Sequence, residues 1–365
     1  MVDSNNDFYI DKFLKQAVAA GASDVHISEG EPPAIRVAGQ IRRINLPPIS
    51  SDDMDMTIRS LAPLHLQDRI TRFFDIDFSY EIPSCARFRV NMSRQLGKVA
   101  VAIRTIPYSI KTYEELSLPQ TLENFKKFNN GFILVTGPTG SGKSTTIASL
   151  IDYINTHYAK HIITIEDPVE FIFNNKKSII SQRQLIVDTA SFSDGIKYAL
   201  RQDPDVIFIG EIRDRMTMEA ALDSAETGHL VVSTIHTNDA IQTVERIINL
   251  FEPGERQFIR NQLAATLRGT ISQKLIPTVD GVRLPAAEVL VVTPTVKDFI
   301  ERDELENVYN LVRKGSFDNM ITMNMALFNL LESEKITKEV ALSYSDNKSE
   351  LEQLLRGVYH GSSRR

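Results

Sequence analysis

The chain has 365 residues, a length that favours about two domains, each large enough to bury its own core. Its formal net charge of -6 argues against a nucleic-acid backbone as the default partner. The lone cysteine, Cys85, excludes a disulfide framework within the chain and a four-cysteine zinc site, and we interpret it as a packing residue in a reducing compartment.

The amino-terminal stretch carries acidic residues where a secretory signal would need positive charge. No apolar run reaches the roughly 18 residues that a membrane span needs. We therefore expect a cytoplasmic protein that is not inserted directly into a membrane.

The first hundred residues combine one helix with short alternating strands. Apolar residues recur at helical spacing from residue 7 to about residue 20. Apolar and polar residues then alternate in SDVHIS, AIRVAG, FDIDFSYEI, ARFRVNM and KVAVAIRTI. This pattern predicts a small α+β domain with a mostly antiparallel sheet over residues 1–106. Residues 107–119 are bounded by prolines and lack periodicity, which predicts an interdomain linker.

The character of the chain changes after this linker. Near-continuous apolar runs at FILVT, HIITI, DVIFIG and LVVSTI alternate with helical stretches, as is typical of a parallel sheet buried on both faces. We predict an α/β domain over residues 120–294 and a helical region over residues 295–365, with a disordered GSSRR tail. We interpret the last apolar stripe as helix packing; it comprises Met320, Met323, Leu327, Leu330 and Leu331.

The segment GPTGSGKST lies between the apolar run FILVT and a helical stretch, which is the order of a P-loop. Its glycines allow a tight turn whose amide groups converge on phosphate oxygens. We expect Lys143 to reach the β- and γ-phosphates of ATP and Ser144 to offer its hydroxyl to Mg²⁺. The candidate nucleotide-binding residues are Gly137, Pro138, Thr139, Gly140, Ser141, Gly142, Lys143, Ser144 and Thr145.

Two carboxylates follow neighbouring apolar runs. Glu211 ends PDVIFIGE and Glu166 ends the run ITIE, and ligands of open α/β sheets bind at the carboxyl ends of the strands. Both are candidates to polarise the attacking water or to support Mg²⁺. The structural alternatives are an ion pair of Glu211 with Arg213 and a turn cap by Glu166 before Pro168.

Two histidines bracket the last of these runs. His229 follows a glycine-terminated helix and His236 ends the strand LVVSTI, so either is a candidate to sense the γ-phosphate. An isolated histidine is also a common structural residue, and that alternative stays open here.

Three arginines are further candidates. Arg89 and Arg104 lie on consecutive predicted strands of the first domain, and Arg201 shares a helical face with Lys197. In an oligomer such cations can contact the phosphates of a neighbouring subunit. Surface ion pairs and a solvated helix face are the alternatives.

The motifs GPTGSGKST, ITIEDPVEF, LRQDPDVIFIGEIRD and ETGHLVVSTIHTND resemble, in order and spacing, the Walker A, Asp-box, Walker B and His-box motifs of the hexameric secretion ATPases. The phrase ASDVHISEGEPPAIRVAGQIRRIN resembles the PilT-type, or twitching-motility, branch of that family. The resemblance implies a PAS-like domain followed by a RecA-like ATPase domain. It further implies catalytic roles for the residues Glu211, Glu166, His229, His236, Arg89, Arg104 and Arg201.

The resemblance also implies a homo-hexameric ring at the cytoplasmic base of a type IV pilus. Its partner would be an inner-membrane platform protein, and its work would be pilin removal. The segment TVKDFIERDE departs from the phrase that retraction ATPases usually carry, so a pilus or secretion assembly ATPase is an alternative. A nucleotide-gated scaffold for a sister motor and a nucleic-acid translocase are the others.

Overall fold

The computed structural model describes residues 9–37, 39–63, 66, 75–106, 109–314 and 320–357. It divides into two compact units. The first runs to Ile110 and also takes Pro168–Ile172, whereas the second takes Lys111–Asp167 and continues from Phe173. This division falls within the predicted linker, of which residues 107 and 108 lie outside the described residues. The predicted domain boundaries themselves stay predictions.

The first unit contains an antiparallel sheet, six-stranded within the described residues, with the order β3-β2-β1-β6-β5-β4. The strands are β1 (Ala22–Ser28), β2 (Ala34–Val37), β3 (Gln40–Arg43), β4 (Asp75–Ile82), β5 (Ala86–Gln95) and β6 (Lys98–Ile106). The helices are α1 (Ile10–Ala19) and α2 (Ser51–Leu61).

The alternation of apolar and polar residues explains why these segments form a sheet with one buried face. Along β5 every second residue from Ala86 to Met92 is buried, so one face of the strand enters the core. The helix and the five strands predicted here are confirmed. Strand β3 was missed because all four of its residues are exposed, and helix α2, which begins with a capping box between Ser50 and Asp53, was also missed. Cys85 is half-buried and packs against this core, in agreement with its interpretation.

Among the described residues, the second unit contains a seven-stranded sheet in the order β13-β12-β7-β11-β10-β8-β9. All neighbours are parallel except β12 and β13. The strands are β7 (Gly131–Thr136), β8 (His161–Glu166), β9 (Ile179–Gln184), β10 (Val206–Ile209), β11 (Leu230–Ile235), β12 (Leu267–Pro277) and β13 (Arg283–Val291).

The central strands are buried on both faces, as expected for a parallel sheet covered by helices. Every residue of β7, β10 and β11 is buried. The four predicted parallel strands are confirmed, and β9, β12 and β13 were missed. The helices that accompany the sheet are α3 (Lys143–His157), α4 (Phe192–Ala199), α5 (Arg215–Glu226), α6 (Ala240–Ile248) and α7 (Arg256–Thr266).

The chain then continues as short helices, which confirms the predicted C-terminal helical region. They are α8 (Pro294–Glu301), α9 (Leu305–Lys314), α10 (Met323–Glu332), α11 (Lys338–Tyr344) and α12 (Lys348–Leu355). The predicted apolar stripe packs into hydrophobic clusters of this unit, with Leu327 fully buried. The predicted disordered tail lies outside the described residues. Within the described part of the chain, no helix is both long and apolar enough to cross a membrane.

Candidate active site

The P-loop connects β7 to α3, and its backbone requires glycine. Gly137, Gly140 and Gly142 have φ values of +139°, +79° and +88°, a region that side chains with a Cβ rarely adopt. A Cβ on Gly137 would lie 2.3 Å from the backbone oxygen of Gln273. The loop therefore approaches β12 more closely than any residue with a side chain allows.

The side chains of the loop are arranged around its backbone. The Lys143 ammonium donates hydrogen bonds to the carbonyl oxygens of Gly137 and Pro138, at 2.8 and 3.0 Å. The Ser141 hydroxyl is buried and has no hydrogen-bond partner among the described residues. Ser144 and Thr145 are half-buried in the first turn of α3. Buried polar atoms beside a helix amino terminus are suited to an anionic ligand.

A cavity of about 420 Å³ adjoins the exposed tip of this loop, Pro138, Thr139 and Gly140. Lys274 and Arg283 also line it, but Asp346 in the same lining pairs with Lys274 at 2.6 Å; the remaining wall comes from Ser141, Leu275 and residues 343–345. The volume of this cavity beside the phosphate-binding loop is within the usual range of small-molecule sites.

The other candidate groups follow β11, β10 and β8 at the same edge of the sheet. Thr136 pairs with Ile235, so the P-loop and His236 leave neighbouring strands at the same level. Ile209 pairs with Ile165, which places Glu211 and Glu166 after the ends of adjacent strands. The structure thus brings the P-loop, His236, Glu211 and Glu166 to one edge, as predicted.

Both carboxylates already have partners. Glu211 forms an ion pair with Arg213 at 2.5 Å, and its second oxygen lies 3.5 Å from Nε2 of His236. Glu166 is buried and accepts a hydrogen bond from the hydroxyl of Thr164 at 2.7 Å. The alternative pairing of Glu211 with Arg213 therefore occurs, and it holds the carboxylate at the edge where the P-loop begins.

His229 and Arg201 lie away from this edge. His229 comes before β11, and its Nδ1 lies 2.9 Å from the carbonyl oxygen of Ser224. Because a strand advances about 3.3 Å per residue, His229 is about 23 Å from His236 along the strand direction. Arg201 is exposed, and it follows α4 and precedes β10 at the amino-terminal edge of the sheet. Of the two histidines, either of which is a candidate to sense the γ-phosphate, only His236 lies at the P-loop edge of its own chain.

Arg89 and Arg104 face each other across β5 and β6 of the first unit. Arg104 donates to Asp24 at 3.0 Å, and Arg89 lies 3.8 Å from Asp77. Burial alone would raise the pKa of Asp24, but hydrogen bonds from Arg104 and Ser23, together with the charge of Arg104, hold it below its usual value. Arg89 and Arg104 therefore lie side by side on one face of the sheet, each beside a carboxylate in a partly exposed ion pair.

Sequence reasoning missed one residue that contacts the P-loop. Gln273 on β12 is buried, and its amide donates to the carbonyl oxygen of Ser141 at 2.7 Å. In the sequence this glutamine stands in GTISQKLIP, a run that mixes polar and apolar residues and gives no clear strand pattern. Because β12 itself was not predicted, Gln273 was not singled out.

The potential donors for Mg²⁺ do not form a closed metal site. Among the residues that the structure describes, no group of three or more His, Cys, Asp or Glu side chains is placed to hold a metal ion. The predicted donors Ser144, Glu166 and Glu211 instead belong to three different segments at the P-loop edge. This fits a P-loop site, where hydroxyl and carboxylate groups share Mg²⁺ with the nucleotide.

Comparisons with known proteins agree with this geometry. Residues 4–284 match the family described as "Type II/IV secretion system protein". The chain is 40% identical over 332 residues to the "Type IV pilus retractation ATPase PilT" of Pseudomonas aeruginosa, covering 91% of this chain and 96% of that protein. It is 41% identical over 320 residues to a "Twitching motility protein" of Neisseria gonorrhoeae, covering 87% of this chain and 86% of that one.

A solved structure agrees as well. The crystal structure of the pilus retraction motor PilT with bound ADP matches with a TM-score of 0.89 at 42% identity, over 95% of this chain and 100% of that chain. These matches confirm the resemblance to the PilT-type branch and the predicted α/β fold. The chain belongs to the type II/IV secretion system protein family.

Proposed function

We propose that this chain is an Mg²⁺-dependent ATPase motor that powers the retraction of type IV pili. The observation that carries the proposal is the meeting of the P-loop, Glu211, Glu166 and His236 at one edge of the parallel sheet. The function named for relatives that match it over nearly their whole length supports the same conclusion.

The P-loop binds the phosphates of ATP. Its backbone amides and the amino terminus of α3 supply hydrogen-bond donors and a positive partial charge. The Lys143 ammonium now donates hydrogen bonds to the carbonyl oxygens of Gly137 and Pro138. When ATP binds, the ammonium would donate to phosphate oxygens in their place. Binding therefore requires little movement of the loop itself.

Glu211 accepts the proton of the attacking water. One of its oxygens pairs with Arg213, and the other lies near His236. A small rotation of the carboxylate would break the ion pair with Arg213 and let that oxygen accept a hydrogen bond from the attacking water. His236 lies next to this carboxylate and would report whether a γ-phosphate is present. Glu166, buried one strand further along, supports the same edge.

A Mg²⁺ ion bound together with ATP would supply positive charge that offsets the charge of the phosphates. Ser144 would hold it through its hydroxyl, and the carboxylates of Glu166 and Glu211 would support its water shell. All three residues lie at the P-loop edge of the sheet.

A single substitution tests this assignment. Glu211→Gln keeps the size of the side chain but removes the proton acceptor, so ATP turnover should fall about 100-fold or more while nucleotide affinity changes little. Glu219→Gln, on the exposed face of α5, is the matched control for loss of a surface charge. Turnover of the Glu211→Gln variant within threefold of wild type would reject Glu211 as the catalytic base.

We further propose that six copies form a ring at the inner face of the cytoplasmic membrane and act on an inner-membrane platform protein. Hydrolysis would turn residues 1–106 against residues 120–294 about the segment 107–119. An ATPase completed by a neighbouring subunit has a specific activity that rises with protein concentration and then saturates. Turnover per chain should therefore be measured over a range of concentrations, together with the mass of the assembly by light scattering.

The same assay separates the alternatives. A scaffold for a sister motor would bind ATP without turnover at any concentration. A nucleic-acid translocase would be stimulated by single-stranded DNA in a strongly salt-dependent manner. Direction of work requires a cellular readout: a deletion strain lacking a retraction motor keeps its pili but loses twitching, whereas one lacking an assembly motor loses its pili.

A further inference from the structure

The P-loop is supported from behind by one side chain of β12. Gln273 is 2% exposed and uses both ends of its amide. Its Nε2 donates to the carbonyl oxygen of Ser141 at 2.7 Å, and its Oε1 accepts from the hydroxyl of Thr146 at 2.8 Å. One buried amide therefore connects the loop to the first turn of the helix that follows it.

We propose that Gln273 is a positioning residue that presets the P-loop for the phosphates of ATP. This inference rests on the proposed function and adds a residue outside the loop to the nucleotide site. Gln273 does not reach the reacting atoms; it acts through the peptide group between Ser141 and Gly142.

The geometry of that peptide group gives the reason. In a planar trans peptide the carbonyl oxygen and the amide hydrogen point in opposite directions. Because the Ser141 carbonyl points at Gln273, the N–H of Gly142 is directed to the opposite side of the loop. A donor directed away from β12 at the start of α3 is in position to bind a phosphate oxygen.

The backbone contact at the other end of the loop reinforces this arrangement. A Cβ at Gly137 would collide with the backbone oxygen of Gln273, and one at Gly142 would lie 2.8 Å from its Nε2. The loop is thus packed against this residue at both of its ends. We expect the loop to keep its shape before the nucleotide arrives, which lowers the ordering cost of binding.

This role predicts a specific kinetic signature. In Gln273→Met the side chain keeps its length, but the Ser141 carbonyl loses its donor and the Thr146 hydroxyl loses its acceptor. The Kd for ADP and the KM for ATP should rise about tenfold, the factor expected for one hydrogen bond to a buried group. The kcat at saturating ATP should stay within about twofold, because two strands, β7 and β11, separate the strand of Gln273 from β10, which precedes Glu211.

The experiment measures ADP binding by calorimetry and steady-state ATP hydrolysis on the full chain. Thr270→Val is the matched control, because Thr270 lies on the same strand, is fully buried, and has a hydroxyl without a hydrogen-bond partner in the described structure. Thr146→Val breaks only the helix side of the link and should raise KM about threefold, so it tests the proposal even where Gln273→Met fails to fold.

The outcomes distinguish a failure of the proposed ATPase function from a failure of the proposed role of Gln273. A wild-type chain that neither binds ADP nor hydrolyses ATP would reject the proposed function itself. If wild type is active and the Gln273→Met variant has an unchanged KM, Gln273 is not a positioning residue. Where only Thr146→Val folds, an unchanged KM in that variant leads to the same conclusion. A fall in active fraction and melting temperature with unchanged nucleotide affinity would show that the amide only stabilises the fold.

Discussion

Glu288 on β13 is a buried carboxylate whose ionisation should oppose folding near neutral pH. It is 6% exposed and accepts a hydrogen bond from the backbone N–H of Ala240 at 2.9 Å, where α6 begins. Burial raises its pKa to about 7, and the charges of Asp239 and Asp346 act in the same direction. The N–H groups of Ala240 and Met323 oppose this shift but do not cancel it.

The size of the effect follows from the pKa. Raising it from 4.5 to about 7 costs the ionised form about 3 kcal/mol, since each tenfold change in proton affinity is worth about 1.4 kcal/mol. The folded chain binds this proton more tightly than the unfolded chain does. The free energy of unfolding therefore falls as pH rises from 4.5, and the whole loss is present above pH 7.

Replacing Glu288 with Gln removes this titration and keeps an oxygen that accepts from Ala240. Between pH 5 and pH 8, wild type should lose about 2 to 3 kcal/mol of unfolding free energy relative to the Glu288→Gln variant. The chain has no tryptophan, so urea unfolding should be followed by circular dichroism at several pH values. Glu245→Gln, on the exposed side of α6, controls for the loss of a charge.

The reasoning would be refuted by a stability difference between wild type and Glu288→Gln that does not change with pH. It would be refuted equally by a difference that changes in the opposite direction. In either case Glu288 would be ionised in the folded chain at pH 5, and the N–H groups of Ala240 and Met323 would have outweighed its burial.

Two further substitutions address the nucleotide site. Gly137→Ala places a Cβ 2.3 Å from the backbone oxygen of Gln273, so ADP affinity measured by calorimetry should fall at least tenfold; unchanged affinity would mean that the loop shifts freely. Arg104→Ala removes an exposed ion pair with Asp24 and should change the unfolding free energy by less than about 1 kcal/mol. If Arg104 contacts the nucleotide, ATP turnover of the Arg104→Ala variant should nevertheless fall about 1000-fold. Turnover within twofold of wild type would show that Arg104 forms only a surface ion pair.

The P-loop edge could be predicted from the sequence because local signals agreed there. Each central strand is a short run of apolar residues, and each run ends at a glycine or a polar residue. Parallel strands of one sheet share their carboxyl edge, so the order of these runs was enough to bring Glu211 and Glu166 near the P-loop. No knowledge of long-range contacts was needed.

Strand β12 and the role of Gln273 could not be predicted, because they depend on contacts between residues far apart in the sequence. Strand β12 mixes polar and apolar residues because Gln273 and Lys274 have partners far away in the chain, in the P-loop and in residues 344–346. Its pairing with β7 brings together residues more than a hundred positions apart. A buried glutamine has a signal in the sequence only after this pairing is known.

The direction of β11 places the two histidines at opposite edges of the sheet. They are seven positions apart in one motif, but β11 separates them, so only His236 shares an edge with Glu211. His229 and Arg201 both lie at the opposite, amino-terminal edge of the same sheet. A contact of either residue with the nucleotide in its own chain would need to cross the sheet, which the buried strands prevent. If they act on ATP at all, they must act on the ATP of a neighbouring copy. Substitution of His229 should then impair turnover only at protein concentrations at which the proposed ring assembles, and equal impairment of the dilute chain would contradict this.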